Sequence, residues 1–254
     1  MVNLRERCRQ PEIMDQPELP AEAFVGALRA LERINWFSGS AGILWPAIKR
    51  LATRVGSRPL RLLDIATGGG DVPLRLARRA RAAGLDLRVE GCDRNPHAVA
   101  HATDMAKAHR IPARFFEWDA LTESLPGEYD IVASSLFLHH LERADALRLL
   151  ANMAQAARHL VLANDLVRST TGYLLAYVGT RLLSRSRVAH VDGPRSVESA
   201  FTLREARELA LQAGLREAIV ERRWPCRYLL SWSKHRSAAE STSALGDISA
   251  FQSG

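Results

Sequence analysis

The sequence predicts an α/β fold: a mostly parallel sheet of seven strands with helices on both faces, an antiparallel last strand and an N-terminal helical cap. Three observations carry that expectation. From Leu60 onward, short apolar runs alternate with segments of helical period. The first run ends in Asp64-Ile65-Ala66-Thr67-Gly68-Gly69-Gly70-Asp71, a glycine turn feeding the amphipathic segment Val72–Ala77. The last two runs flank Trp224-Pro225, which marks a hairpin.

The elements follow in order. Residues 1–20 carry Pro11, Pro17 and Pro20 among charges and read as a loose leader. Residues 21–56 form the cap. Phe24, Leu28 and Leu31 give Ala21–Arg33 helical spacing, and a second helix continues through Leu51. Between them, Trp36, Phe37 and Trp45 either cover one edge of the sheet or close as a lid over cofactor and acceptor.

Residues 57–232 form the main domain. Its strands are Leu60–Ile65, Leu85–Cys92, Ala113–Glu117, Tyr129–Ser134, His159–Ala163, Leu215–Glu221 and Arg227–Trp232. Its helices are Asp71–Ala83, stopped by Gly84, then Pro96–Arg110, Leu141–Ala156, and one opened by the capping box Thr202-Leu203-Arg204-Glu205 and ended at Gly214. The insertion Thr170–Ala200 divides into an apolar helical half, Tyr173–Leu183, and a polar turn, His190–Ser196. It reads as an acceptor lid (165–200) or as a partner surface, with a homodimer through the 170–185 helix as one form. Residues 233–254, rich in Ser, Ala and Gly, read as a disordered tail.

Composition narrows the function. The 254 residues are 47% hydrophobic, ordinary for a chain with a substantial core. No apolar run reaches the length of about 18 residues that a spanning helix needs. Met1–Cys8 has no apolar stretch behind its charges, against a secretory signal. Cys8, Cys92 and Cys226 are odd in number and widely spaced; they suggest neither disulfides nor a metal site and fit the cytoplasm. The net charge is +7, but the basic residues are nearly all Arg and are dispersed, which argues against a nucleic-acid track.

The glycine turn is built for a ligand that approaches the main chain closely. A dinucleotide fingerprint fails there, because Pro73 stands where the third glycine of G-x-G-x-x-G belongs. Asp93 ends the second strand about 20–30 residues after the turn, where an acid grips ribose hydroxyls. Alternatively it caps the helix at Asn95–Pro96. Asp119 follows the third strand and could cap a short helix. Ser135, His139 and His140 follow the fourth strand, and Asn164, Asp165 and Arg168 end the fifth, all aimed at the crevice where open α/β sheets bind ligands.

Asp64, Ala66, Gly68 and Gly70 resemble D/E-x-G-x-G-x-G, motif I of the class I S-adenosylmethionine-dependent methyltransferases, with alanine for the first glycine. Alanine keeps the turn narrow but opposes positive φ at position 66. The resemblance covers about residues 34–221 and is nearest the ubiquinone/menaquinone C-methyltransferases and enzymes of phenolic or polyketide-like secondary metabolites. The Asp64–Asp71 motif and Ile34-Asn35-Trp36-Phe37-Ser38 carry it; residues 165–200 do not match the quinone enzymes closely. It implies a Rossmann-like sheet and S-adenosyl-L-methionine as cofactor, held by Asp64, Ala66, Thr67, Gly68, Gly70, Asp93, Arg94, Asp119, Ala120 and Ser135, with Asp119 at the adenine amino group. Ser134-Ser135-Leu136-Phe137 replaces an N-P-P-Y segment, against methylation of adenine or glutamine amides.

The expected reaction is methyl transfer to a small hydrophobic acceptor, phenolic or quinone/polyketide-like, with O- favoured over C-methylation. The expected proton acceptor is His140 or His190, with Arg168 or Arg195 stabilising a phenolate. The rival readings are an RNA methyltransferase and a non-catalytic interaction module of the same fold.

Overall fold

The computed structural model describes residues 3–15, 20–125 and 128–234. Its strands are β1 (Leu60–Ile65), β2 (Leu87–Asp93), β3 (Ala113–Glu117), β4 (Tyr129–Ser135), β5 (Ala157–Leu166), β6 (Ile219–Arg223) and β7 (Arg227–Ser233). They form one sheet in the order β3-β2-β1-β4-β5-β7-β6. All neighbours are parallel except β7, which runs antiparallel to both β5 and β6. The order reverses between β1 and β4, so the ends of these two strands open a crevice at the switch point.

Neighbouring residues of the central strands feed opposite layers, which is why these strands read as unbroken apolar runs. Leu62, Ile131 and Leu162 pack with Leu44 and Ile48 of α2 (Ser40–Val55) and Leu76 of α3 (Asp71–Ala82). Leu63, Val132 and Val161 pack with Leu149 and Met153 of α5 (Arg143–Ala156) and Leu209 of α8 (Leu203–Gln212). α4 (Pro96–Ala108) lies beside β2 and β3, and α1 (Ala21–Phe37) crosses α4 at the N-terminal cap. The Thr202–Glu205 capping box is formed in both directions.

Four sequence expectations are corrected. The fifth strand is ten residues long, because pairing with β7 extends over Leu160–Leu166. Trp45 packs against the core under α2, while Trp36 is 60% exposed, so these rings do not close together as one lid. The polar turn at His190–Ser196 is instead part of a helix, α7 (Arg187–Ser199), packed on α6 (Thr170–Leu183). Gly193 serves close helix approach there rather than a bend: a Cβ on it would meet Thr180 Cγ2 at 2.5 Å. Finally, the described part of the leader is docked. The Arg7 guanidinium donates to the carbonyls of Ser199, His139 and Leu141 and lies over the Phe201 ring at 4.0 Å. Proline and charge do prevent a long helix here, but helix ends leave carbonyls that an arginine can satisfy.

The expectation of disorder for the tail falls almost wholly on 235–254, outside the described residues; Ser233 itself ends β7. Among the described residues no helix is long and apolar enough to cross a membrane. The outer face of α6 exposes Leu174, Leu175, Tyr177, Val178 and Leu182.

Candidate functional site

The glycine turn leaves β1 at Ala66, whose φ is +52°, a left-handed conformation that alanine pays for with about 1–2 kcal/mol. A second non-glycine residue, Leu136, has φ +58° just after β4. The two strained residues flank the switch-point crevice, and strain of this kind gathers at ligand sites. Ala66→Gly should therefore raise stability by about 0.5–1 kcal/mol in urea unfolding, relief of strain exceeding the added chain entropy. Loss of stability would show that the turn is unstrained.

The turn itself is cross-tied. Thr67 donates its backbone N–H to the Cys92 carbonyl (3.0 Å) and its hydroxyl to Asp64 Oδ2 (2.8 Å). The Gly68 N–H donates to Asp93 Oδ2 and the Asn95 N–H to Asp93 Oδ1, each at 2.9 Å. Asp93 thus lies against the turn and supports the residue before α4, but the cap itself is Asn95, whose side chain accepts the His97 N–H. Gly70 caps α3 at φ +74°, and a Cβ there would meet Ala102 Cβ at 2.9 Å. Gly91 is as tight, with Phe115 carbons at 2.7 Å and Thr67 Oγ1 at 2.8 Å from the Cβ position. A cleft of about 420 Å³ lined by Arg29, Trp36, Arg75 and His101 opens between α1, α3 and α4.

Buried at the switch-point ends of β1, β4 and β5 are polar atoms that have no protein partner. Among the described residues these include Asp64 Oδ1, Ser135 Oγ and both side-chain polar atoms of Asn164. By strand alternation the three residues share the α2/α3 face of β1, β4 and β5, with Ser135 and Asn164 in register. Burial pushes the Asp64 carboxyl up to about 7, with the Asp71 and Asp93 charges adding to that and the Thr67 hydroxyl opposing it. Burial likewise raises Asp71, to about 6, against Arg75 and Asn35. Buried acceptors lacking donors cost free energy unless a ligand supplies the donors. The row suits a ligand carrying an ammonium and hydroxyl groups, as the cofactor implied by motif I does.

The other sequence-predicted residues divide. Asp119 closes a turn, accepting the Leu121 N–H at 2.9 Å, but the short helix it was expected to cap does not form; Ala120 is buried beside it. Arg94 is exposed. His139 and His140 lie at the end of β4, in the 3-10 turn Leu138–His140, on the α5/α8 side of the sheet. His190 is turned away: its Nε2 lies 2.8 Å from the Ser184 carbonyl, closing the α6–α7 junction. Arg168 is spent on structure, donating to Ala200 O, Leu4 O and the Glu205 carboxylate. Arg195 reaches the Pro11 carbonyl at 3.3 Å.

Two further groups stand at this end, Asp165, placed there by its strand-end position, and Glu12, which no local pattern pointed to. Asp165 grips His139, Oδ1 lying 2.6 Å from the ring Nδ1 and Oδ2 accepting its backbone N–H. Burial opposes ionisation of Asp165, but the His139 charge and these hydrogen bonds outweigh it and hold the carboxyl below its ordinary value. Glu12, from the leader, is buried against His139. Asp165 had a local signal, an acid at a strand end; Glu12 had none.

Residues 62–159 match the family model described as a methyltransferase domain. A demethylmenaquinone methyltransferase of Thermus thermophilus is 43% identical over 75 residues, covering 29% of this chain and 32% of that protein. A ubiquinone biosynthesis O-methyltransferase of Pseudomonas fluorescens is 25% identical over 134 residues, covering 52% of this chain and 55% of that one. The chain thus matches between about a third and about half of the length of these relatives. Among solved structures, the S-adenosylmethionine-dependent methyltransferase SibL superposes with a TM-score of 0.58 at 21% identity, over 79% of this chain and 56% of that one. Residues 62–159 thus match a methyltransferase domain, and their glycine turn lies at the switch point of a 3-2-1-4-5-7-6 sheet that superposes on that of an S-adenosylmethionine-dependent methyltransferase.

Proposed function

We propose that the chain transfers a methyl group from S-adenosyl-L-methionine to a hydroxyl of a small hydrophobic acceptor of phenolic or quinol type. The observation that carries this reading is the row of unpartnered buried polar atoms beside the glycine turn, the Asp64, Ser135 and Asn164 oxygens together with the Asn164 amide nitrogen. Asp64 would hold the cofactor's ammonium, Asp93 the ribose hydroxyls and Asp119 the adenine amino group, with Ala66, Thr67, Gly68 and Gly70 forming the wall. Arg94, Ala120 and Ser135 complete the set around it.

The bound cofactor supplies an electrophilic methyl on a sulfonium. The chain then has to hold an acceptor oxygen in line with that methyl, and positioning of this sort contributes about 7–11 kcal/mol. Of the four polar side chains expected to act on the acceptor, His140 is the one at the end of β4, beside His139 and Phe137. It is our candidate to take the acceptor's proton. His190, Arg168 and Arg195 instead hold α7 and the leader over that end of the crevice. The acceptor class is supported by the relatives named for quinone methylation, one of them an O-methyltransferase.

The test is calorimetry with S-adenosylmethionine and its demethylated product, followed by transfer of labelled methyl to a panel of phenols and quinols. Binding of both nucleosides and label in an ether linkage are expected. No heat with either would remove the cofactor assignment. Label on a ring carbon would leave the cofactor and replace the O-acceptor.

A further inference from the structure

We propose that Glu12, His139 and His140 form a site for one divalent transition-metal ion. One oxygen of Glu12 and one ring nitrogen from each histidine lie within 4.8 Å of one another. His139 Nε2 is 3.7 Å from Glu12 Oε1, and His140 Nε2 is 3.9 Å from Glu12 Oε2. Bonds of about 2.0–2.1 Å to a common ion put neighbouring ligand atoms roughly 3.0–3.4 Å apart, so the two contacts to Glu12, which use different oxygens, must shorten by some tenths of an ångström and the widest pair, within 4.8 Å, by up to about 1.4 Å.

The surroundings point the same way. Asp165 accepts only, so the nitrogen facing it, Nδ1 of His139, is the donor. Its Nε2 is aimed at the buried Glu12 carboxylate, 3.7 Å away, with both side chains almost fully buried, a geometry in which one ion between them would be held by both. The carboxylate–histidine arrangement fixes the ring tautomer, as the supporting partners of metal-bound histidines do. Ser196 Oγ, 2.5 Å from Glu12 Oε1, holds the third ligand in the same manner. Two imidazoles and one carboxylate suit zinc, iron or nickel in preference to magnesium or calcium.

Three protein ligands leave a coordination position open, and an oxygen donor such as water or an acceptor hydroxylate would take it. The ion would also pin the leader to the end of β4, because Glu12 is the ligand furthest from the histidines in sequence. The inference goes beyond methyl transfer and does not depend on it; with the ion bound, His140 is a ligand and no longer available as the proton acceptor proposed above.

A tag-free chain stripped with a chelator is titrated with cobalt(II), then zinc(II). One equivalent of cobalt with the intense visible absorption of a four- or five-coordinate ion, displaced by zinc, is expected. Glu12→Gln should weaken binding more than tenfold, and Ser196→Ala about tenfold by loss of a supporting contact. Should Glu12→Gln loosen the leader, His140→Ala, in a half-buried ring, removes a ligand without touching it and should give the same loss. No stoichiometric cobalt, or a weak six-coordinate spectrum unchanged in both ligand variants, would overturn the site. Cofactor calorimetry on the stripped chain tells its failure apart from failure of the methyltransferase reading.

Discussion

Asp64→Asn should stabilise the chain at pH 8 by about 1–3 kcal/mol and weaken S-adenosylmethionine binding about 10–100-fold. Both effects come from one buried oxygen. The Asp64 carboxyl titrates at about 7 in the fold, chiefly through burial, against 3.8 for an ordinary Asp. Between these two values the folded state keeps a proton that the unfolded chain has released, so stability falls as pH rises through that window. Each pH unit of such a difference is about 1.36 kcal/mol, and an amide, which needs no proton, escapes most of that cost. An amide also lacks the charge that a cofactor ammonium would meet, and a charge-assisted hydrogen bond is worth roughly 1.5–3 kcal/mol. For the native chain, affinity should decline as pH falls below about 7, with proton release on binding seen as buffer-dependent heat; the variant should lack both. Urea unfolding and calorimetry read these effects. A destabilised variant that binds the cofactor normally would reverse the assignment.

Arg227→Ala should cost about 3–5 kcal/mol, the range found when one partner of a buried charged network is removed. Arg227 is 2% exposed and begins β7. It donates to Ser40 Oγ at 2.5 Å, Ser38 Oγ at 2.6 Å and Asn35 Oδ1 at 3.4 Å, joining the sheet to the α1–α2 junction. Burial lowers its pKa to about 10, against the charges of Asp165 and Asp71, so it remains a cation at neutral pH. Alanine would leave the Ser38 and Ser40 hydroxyls without the guanidinium donor, leave Asn35 Oδ1 with the Ser40 hydroxyl alone, and remove a cation that supports Asp71 beside Arg75. Thermal unfolding should drop by roughly 10 °C for a chain of this size. Arg227→Lys keeps the charge but not the fork and should recover part of the loss. A change below about 1 kcal/mol for alanine would show that the network is idle.

How much of this was legible follows from the range of the interactions. Strands buried on both faces must be apolar throughout, so Leu60–Ile65 and Tyr129–Ser134 declared themselves, and the glycine turn located the switch point. Asp93 was readable because its partner, Gly68, belongs to the motif that precedes it. The helical state of Arg187–Ser199 was not, since Gly193-Pro194 is locally a turn signal and only the approach to Thr180 makes it helical. Arg168 and His190 carried the right chemistry for a site, but each meets a carbonyl instead, Arg168 that of Ala200, 32 residues on, and His190 that of Ser184, across the α6–α7 junction. Glu12 and Arg227 were missed for the same reason: their partners lie far away along the chain, where no periodicity points.

At the end of β5, Asn164 and Asp165 are neighbours in the chain and back to back across the sheet. Asn164 looks toward the α2/α3 layer and the glycine turn, and Asp165 toward His139. One strand thus furnishes two chambers with consecutive codons. Point substitutions can alter either chamber alone, whereas loss or gain of a single residue upstream in β5 would send the carboxylate to the wrong side and the amide to the other.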